Sequence, residues 1–411
     1  MDPAVTINGE RLWASLMEMA EIGKTPGGGS GRLALTEHDA EARKLLIKWA
    51  EEAGCTVSID GLGNMFLRRE GRHPVMAPIG FGSHLDTQPL GGRFDGVLGV
   101  LAGLEVMRSL NDANITTERP LVLVDWTNEE GSRFAPAMVS SGVYAGTFDK
   151  QWMFEQRDRH GVSQGEALKA IGFEGDAPIG QPGFERFFEL HIEQGPVLEN
   201  EGLDIGIVDS VQGISWYDLV LKGHPTHSGT TPMGLRRDAL YAASRLISGL
   251  IDEVNAQDPE AMVTFGELDI ESPSRNVIPG EIRLSLDLRH LGDDRLNALE
   301  NRVMEHIDAV VSETGVVIEA QRSWHSPTLY FDSENVAMVE EAAQRHGLSA
   351  KRMPSGAGHD SVHVAKVAPT SMIFIPSLDG VSHNEAEYSS PEQCQHGAQV
   401  LCDAILQASK A

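Results

Sequence analysis

The sequence predicts an α/β chain: a mixed, mostly parallel sheet covered by helices, with a smaller α+β segment inserted into it. Three observations carry this. Apolar runs at residues 74–81, 120–126 and 369–375 are continuous rather than alternating, as strands covered on both faces require. Those at 74–81 and 120–126, and a further strand pattern at 187–192, run straight into polar loops, the way open α/β sheets build sites. From about Gln212 the texture changes, and strands and long amphipathic helices follow in the order β-α-β-β-α-β.

Taken in order, residues 7–21 read as a helix with Leu12, Leu16, Met19 and Ala20 near one face. Residues 23–31 form a Gly/Pro/Ser loop. Thr36 is placed to cap the next helix, with Asp39 at the third position in capping-box fashion, and that helix runs to about Ala53 and stops at Gly54. Strands at 55–59 and 63–69 flank an Asp60-Gly61 turn. The run 74–81 leads into Gly82-Ser83-His84-Leu85-Asp86-Thr87 and Gly91-Gly92-Arg93-Phe94-Asp95-Gly96, and a helix follows at 97–110. Strand 120–126 enters Thr127-Asn128-Glu129-Glu130-Gly131; helical patterns follow to about Ile171. Strand 187–192 ends in His191-Ile192-Glu193-Gln194-Gly195. The insertion reads as strand 216–222, helix 235–255, strands 262–270 and 281–289, helix 294–313 and strand 316–324, a ferredoxin-like unit. A helix at 333–346, strand 369–375 and helix 391–410 return to the first texture. The expected domains are 1–211 with 329–411, and 212–328.

At 411 residues the chain has ample material for two such domains. Its 41% apolar and 23% charged residues are ordinary for a globular protein. A net charge of −27 argues against nucleic acid or an anionic membrane as partner, since both want basic patches. Cys55, Cys394 and Cys402 show no metal-type spacing, and an odd count in a large chain reads as reduced thiols. The first twenty residues lack a basic-then-apolar signal pattern, and no apolar stretch is long enough to span a membrane, so the expected location is the cytoplasm.

Five residues at strand ends or in Gly-rich loops form a candidate two-metal site: His84, Asp95, Glu130, His191 and His383. Imidazoles with carboxylates suit zinc, with manganese, cobalt or nickel as substitutes. Asp95, on the Gly-Gly loop, is the natural bridge between two cations. Asp86, two residues after His84, is placed to accept the other ring N–H. Glu129 and Glu130 are adjacent on an extended segment and point to opposite sides. One can bind metal while its neighbour takes a proton from water, and we assign Glu130 as ligand and Glu129 as base. Each of these residues alone also reads as ordinary: a surface imidazole, a turn aspartate, a solvated acidic pair.

The blocks GSHLDTQPLGGRFDGVLGVL, WTNEEGSRF, ELHIEQGPVLE, PTHSGTTPM, RNVIPGE, SGAGHD and GVSHNEAE occur in this order between residues 82 and 387. Together they resemble the aminoacylase/carboxypeptidase clan of dinuclear metal amidohydrolases. Within it the chain is most similar to the N-carbamoyl-L-amino-acid amidohydrolase, β-ureidopropionase and allantoate amidohydrolase group. The resemblance implies a metal-dependent hydrolase domain with an inserted lid/dimerisation domain, and two divalent ions held by the five residues above. It implies Glu129 as general acid/base, and Gln194, His227, Asn276, Arg289 and Gly358 as contacts to a small ureido or carbamoyl substrate. Residue chemistry is compatible with those roles. Arg289 offers a planar fork for a carboxylate, and His227 can donate to an oxyanion. Asn276 can donate and accept. Gly358 permits close approach of backbone to ligand. Taken singly, Arg289 reads as half of an ion pair, Asn276 and Gly358 as turn residues.

The expected activity is hydrolysis of an N-carbamoyl amino acid to amino acid, carbon dioxide and ammonia, by a homodimer joined through the lid. The alternatives are allantoate amidohydrolase and, further off, an aminopeptidase or acylase of the clan. Leu90, Ser140-Ser141-Gly142 and Gly223-His224-Pro225 depart from the group's usual pattern and bear on substrate preference, not on the catalytic residues.

Overall fold

The computed structural model describes residues 5–410; residues 1–4, which begin the N-terminal stretch read above, and residue 411 lie outside the described residues. The chain divides into two compact units, Met1–Asp209 with Phe331–Ala411, and Ser210–Tyr330. Six strands precede or enter the insertion: β1 Thr56–Ile59, β2 Met65–Arg69, β3 Ile79–His84, β4 Leu121–Trp126, β5 Arg186–Ile192 and β6 Ile205–Val211. The insertion carries β7 Gly213–Lys222, β8 Met262–Thr264, β9 Leu268–Ile270, β10 Glu281–His290, β11 Val317–Ser326 and β12 Leu329–Tyr330; β13 Ala350–Ser355 and β14 Thr370–Ile375 follow it.

Among the described residues the larger sheet has nine strands in the order β1-β2-β4-β3-β5-β14-β6-β12, with β13 also on β6. Its centre is parallel: β4, β3, β5 and β14 run the same way. β2 and β6 add antiparallel on either side. Every residue of β3, β4 and β14 is buried, which explains their unbroken apolar sequence. The four parallel strands therefore end on one edge of the sheet, at His84, Trp126, Ile192 and Ile375. Helices Val97–Asp112 and Pro391–Ala408 supply much of the covering layer, and the second opens on a Ser390–Gln393 capping box.

A fully buried cation joins the outer helix to the sheet. Arg43, on helix Glu37–Glu52, donates to Asp39 Oδ1 (2.9 Å), the Gly63 carbonyl (2.7 Å) and Thr127 Oγ1 (3.2 Å), and lies 3.7 Å from Asp125. Buried Arg32 donates to the carbonyls of Leu85 (2.8 Å) and Ile22 (2.8 Å). Both guanidinium groups brace the loops that leave β3 and β4.

In the second unit the sheet runs β11-β7-β10-β8, with β9 also on β10, and every pairing is antiparallel. Helices Ala239–Gln257 and Asp293–Thr314 bury Leu246, Leu250, Leu299 and Val303 in one core with Leu219, Leu221, Leu284 and Leu286 of the sheet. This is the β-α-β-β-α-β order.

Several elements differ from the sequence reading. The strand expected at 262–270 is two short strands, because Ser285 of β10 exchanges bonds with Glu267 in the gap. The helix expected from Leu235 begins at Ala239, where Asp238 caps two N–H groups; a 3-10 turn, Met233–Leu235, precedes it. Thr36 does cap its helix, but Asp39 completes no capping box: its carboxylate accepts from Leu35 N–H and pairs with Arg43. The run 74–81 is strand only from Ile79, after two prolines that cannot donate to a ladder.

Gly82 marks the tightest point of the sheet. Its φ is 149°, and a Cβ there would stand 2.0 Å from the Val124 carbonyl oxygen of β4. Replacing it, Gly82→Ala, should cost at least about 3 kcal/mol, the sum of backbone strain and overpacking. Urea denaturation of the variant checks this.

Candidate active site

The common edge of the four parallel strands gathers the predicted first-unit residues. β3 ends in His84 and runs through Asp86 to the Asp95 loop; β4 leads to Glu129 and Glu130; β5 ends beside His191 and Gln194; β14 leads to Ser382 and His383. His84, His191, Asp95 and Glu129 are buried, and His383 is half exposed.

Asp95 stands at the centre. Its Oδ1 lies 3.5 Å from His84 Nε2 and 3.2 Å from His191 Nε2. Its Oδ2 lies 3.5 Å from His383 Nε2 and accepts from Gln194 Nε2 and Ser382 Oγ at 2.8 Å each. Glu130 Oε2 lies 3.4 Å from His383 Nε2 and accepts from Gln88 Nε2 (2.7 Å). Two groups of possible metal ligands result, His84–Asp95–His191 and Asp95–Glu130–His383, each with its donor atoms within 4.8 Å of one another. They share only Asp95, which offers a different oxygen to each.

The imidazole geometry fits a cation. His84 Nδ1 lies 2.9 Å from the Asp86 carbonyl and His191 Nδ1 2.9 Å from the Ile192 carbonyl. A carbonyl only accepts, so the proton sits on Nδ1 and Nε2 faces the site. The Gly96 N–H donates to His191 Nε2 (3.0 Å), the same lone pair a metal would use. The Asp86 carboxylate does not take the His84 ring N–H, as the sequence suggested, because the Asp86 carbonyl already does. It accepts instead from the backbone N–H groups of Glu129 (3.1 Å) and Glu130 (3.2 Å), and so orients that pair.

Glu129 Oε2 lies 3.4 Å from His84 Nε2, beside the first ligand group rather than within it. Burial pushes its carboxyl well above the usual range; the charge of His84 opposes this, and Asp360, Glu130 and Asp86 add to it. Burial likewise pushes Glu130 well up, with Asp95 adding. Burial alone would lower His84, yet Glu129, Asp95 and Asp86 outweigh it and raise it well above the ordinary value. His191 is raised by Asp95 against the opposing effect of burial.

Gln194 takes a left-handed backbone, φ 59°, to aim its amide at Asp95. Gly358 faces Met138: a Cβ there would stand 2.8 Å from the Met138 Cε. His359 and Asp360, not singled out from sequence, are buried here too, and the His359 ring lies 4.5 Å from that of His191. Ser382 and Glu387 also reach the Asp95 loop. The signal for all four was their place inside the SGAGHD and GVSHNEAE blocks.

The remaining three predicted residues belong to the second unit. His227 is exposed and its Nδ1 accepts from Gly229 N–H (3.0 Å); it bridges to Val277, beside Asn276. Arg289 forks onto the Asp287 carboxylate at 3.1 and 2.8 Å, on the β10 stretch paired with Ile214 and Met262. His227 and Asn276 lie beyond the opposite end of β10, past Glu281. Eight residues of strand, roughly 26 Å, separate the two ends.

The Glu130 carboxyl, pushed up by burial, holds a proton that a metal must displace, so cation affinity should fall as pH falls. Calorimetric zinc titration in buffers of different ionisation enthalpy should report release of about one proton or more. Buffer-independent heats would contradict this protonation state.

The family model for peptidase family M20/M25/M40 matches residues 80–407. The chain is 43% identical to an N-carbamoyl-L-amino-acid amidohydrolase of Rhizobium meliloti, covering 98% of this chain and 97% of that one. It is 34% identical to an allantoate amidohydrolase of Bacillus subtilis (strain 168), covering 94% of each. A crystal structure of an amidase of the hydantoinase/carbamoylase family from Burkholderia multivorans superposes with a TM-score of 0.95 at 47% identity, covering 100% of both chains. With the ligand groups where the strands end, the conclusion is that this chain belongs to the metal-dependent peptidase family M20/M25/M40.

Proposed function

We propose that the protein hydrolyses the ureido C–N bond of an N-carbamoyl-L-amino acid, releasing the amino acid, carbon dioxide and ammonia. The observation that carries this is the Asp95 carboxylate shared between two ligand groups, with Glu129 beside one of them. Similarity to a carbamoyl-amino-acid amidohydrolase over nearly the whole chain supports the substrate class. The allantoate relative keeps a larger ureido substrate as the second reading.

In this reading His84, His191 and Asp95 would hold one divalent cation, and Asp95, Glu130 and His383 the other. Zinc is the first choice and manganese, cobalt or nickel the substitutes. Such a pair supplies Lewis acidity, acidifying water and polarising the ureido carbonyl. Glu129 takes the proton of the attacking water and returns it to the leaving nitrogen, a task that a raised carboxyl pKa suits. Asp86 fixes the Glu129–Glu130 backbone, which would let Glu130 serve as ligand and Glu129 as base. His227 donates to the oxyanion, Arg289 exchanges Asp287 for the substrate carboxylate, and Gln194, Asn276 and the Gly358 backbone complete the contacts.

The second unit serves as lid and dimerisation domain. The strand length between Arg289 and the His227–Asn276 loops exceeds any carbamoyl amino acid, so one lid cannot offer both to one substrate. Two copies can, and this supports a homodimer in which the partner supplies part of each site.

Three measurements test the reading. Metal-replete protein should release ammonia from an N-carbamoyl-L-amino acid faster than from N-carbamoyl-β-alanine or allantoate, and chelator should stop it. Glu129→Gln should lose at least about 100-fold in kcat with metal content unchanged; retained turnover would remove Glu129 from the base role. Sedimentation at micromolar concentration should give a dimer, and monomer alone would overturn the shared site.

A further inference from the structure

We propose that Glu387 is the positioning residue for Asp95, setting how that carboxylate is presented to both ligand groups; this rests on the metal-dependent reading above. Glu387 is 1% exposed although its carboxyl is polar. One of its oxygens accepts from the backbone N–H groups of Phe94 (2.9 Å) and Asp95 (3.1 Å). The other lies 3.0 Å from Ser382 Oγ, and that hydroxyl is 2.8 Å from Asp95 Oδ2. Asp95 is thus held twice from one carboxyl group: at its backbone directly, and at its side chain through Ser382, whose one proton goes to Asp95 while its oxygen accepts from the Glu387 carboxyl. No local structure does this, for the two residues are 292 positions apart.

The loop is built around that carboxylate. A Cβ on Gly92 would stand 1.9 Å from Glu387 Oε1 and 2.0 Å from its Cδ. Gly92 has no positive φ, so the space, rather than the backbone conformation, is what excludes a side chain. The segment that carries Glu387 is itself braced: Asn384 accepts from Ala386 N–H through its side chain and from Glu387 N–H through its carbonyl. Since His383 sits in the same turn, Glu387 couples one imidazole of the second ligand group to the residue shared by both. A carboxylate that fixes a ligand in this way typically changes metal affinity 10–100-fold when removed.

The test is zinc affinity, measured by competition with a chromogenic chelator on purified full-length protein, with the cobalt(II) absorption spectrum and metal-free Tm alongside. Glu387→Ala should bind zinc at least tenfold more weakly and shift the cobalt spectrum. Glu387→Gln should stay within threefold of the unaltered protein, because its amide oxygen can still accept both N–H groups while its N–H₂ faces Ser382. Gly92→Ala, which displaces the carboxylate without removing it, should resemble Glu387→Ala and decides the matter if that variant does not fold. Zinc affinity within threefold for the folded alanine variant overturns the proposal. A protein that binds zinc but hydrolyses no carbamoyl substrate refutes the functional reading and leaves Glu387 to be judged on affinity; a protein that binds no divalent ion refutes both.

Discussion

Like charge buried at one edge of a sheet is the constraint that the rest of this structure answers. Asp86, Asp95, Glu129 and Asp360 are almost closed to water, with Glu130 beside them. Burial disfavours every ionised carboxylate, and their mutual repulsion makes it worse. The protein offsets this with directed dipoles and imidazoles. Backbone N–H groups of Glu129 and Glu130 are spent on Asp86, and the Leu85 N–H on Asp125. His84 and His191 face Asp95, whose carboxyl burial pushes up but these two rings hold well below the usual range. What these donors leave uncompensated is what divalent cations would neutralise.

That electrostatic need explains features otherwise arbitrary. Arg43, buried among Asp39, Asp125 and Thr127, places a permanent positive charge one layer beneath the site without entering it. A buried guanidinium adds little net stability unless every donor is met, and the bonds Arg43 donates also fix the helix against the sheet. Parallel strands matter for the same reason. They bring four loops to one edge, where residues from positions 84 to 383 become neighbours with no strand turning back between them.

The sequence made the architecture legible where burial writes a continuous signal. β3, β4, β5 and β14 stood out because both faces are covered, and His84, Glu130 and His191 could be found by walking off their ends. It was silent where a partner lies far along the chain. Asp86 looked like a support for its neighbour His84, but Glu129, 43 residues on, needed it more. Gly358 suggested close approach of a ligand, and its lack of a side chain also makes room for Met138. His359 and Asp360 went unread because a His-Asp pair has no spacing rule; only the fold carries it to His191. β6 and β13 also went unread: β6 runs into β7 with no polar loop between them, and β13 carries Lys351, Arg352 and Pro354 in place of an apolar run.

The second unit enters at Ser210 and leaves at Tyr330, and these residues pair across adjacent antiparallel strands. Its two ends are therefore only one strand spacing apart, about 5 Å. A tight turn could close that gap at the cost of only the last two residues of β6 and the two-residue β12. Such a segment is suited to behave as a cassette, acquired, lost or exchanged in one genetic event while the parallel centre of the larger sheet keeps its register. The chemistry of the strand ends and the choice of what reaches them can thus diverge on separate histories.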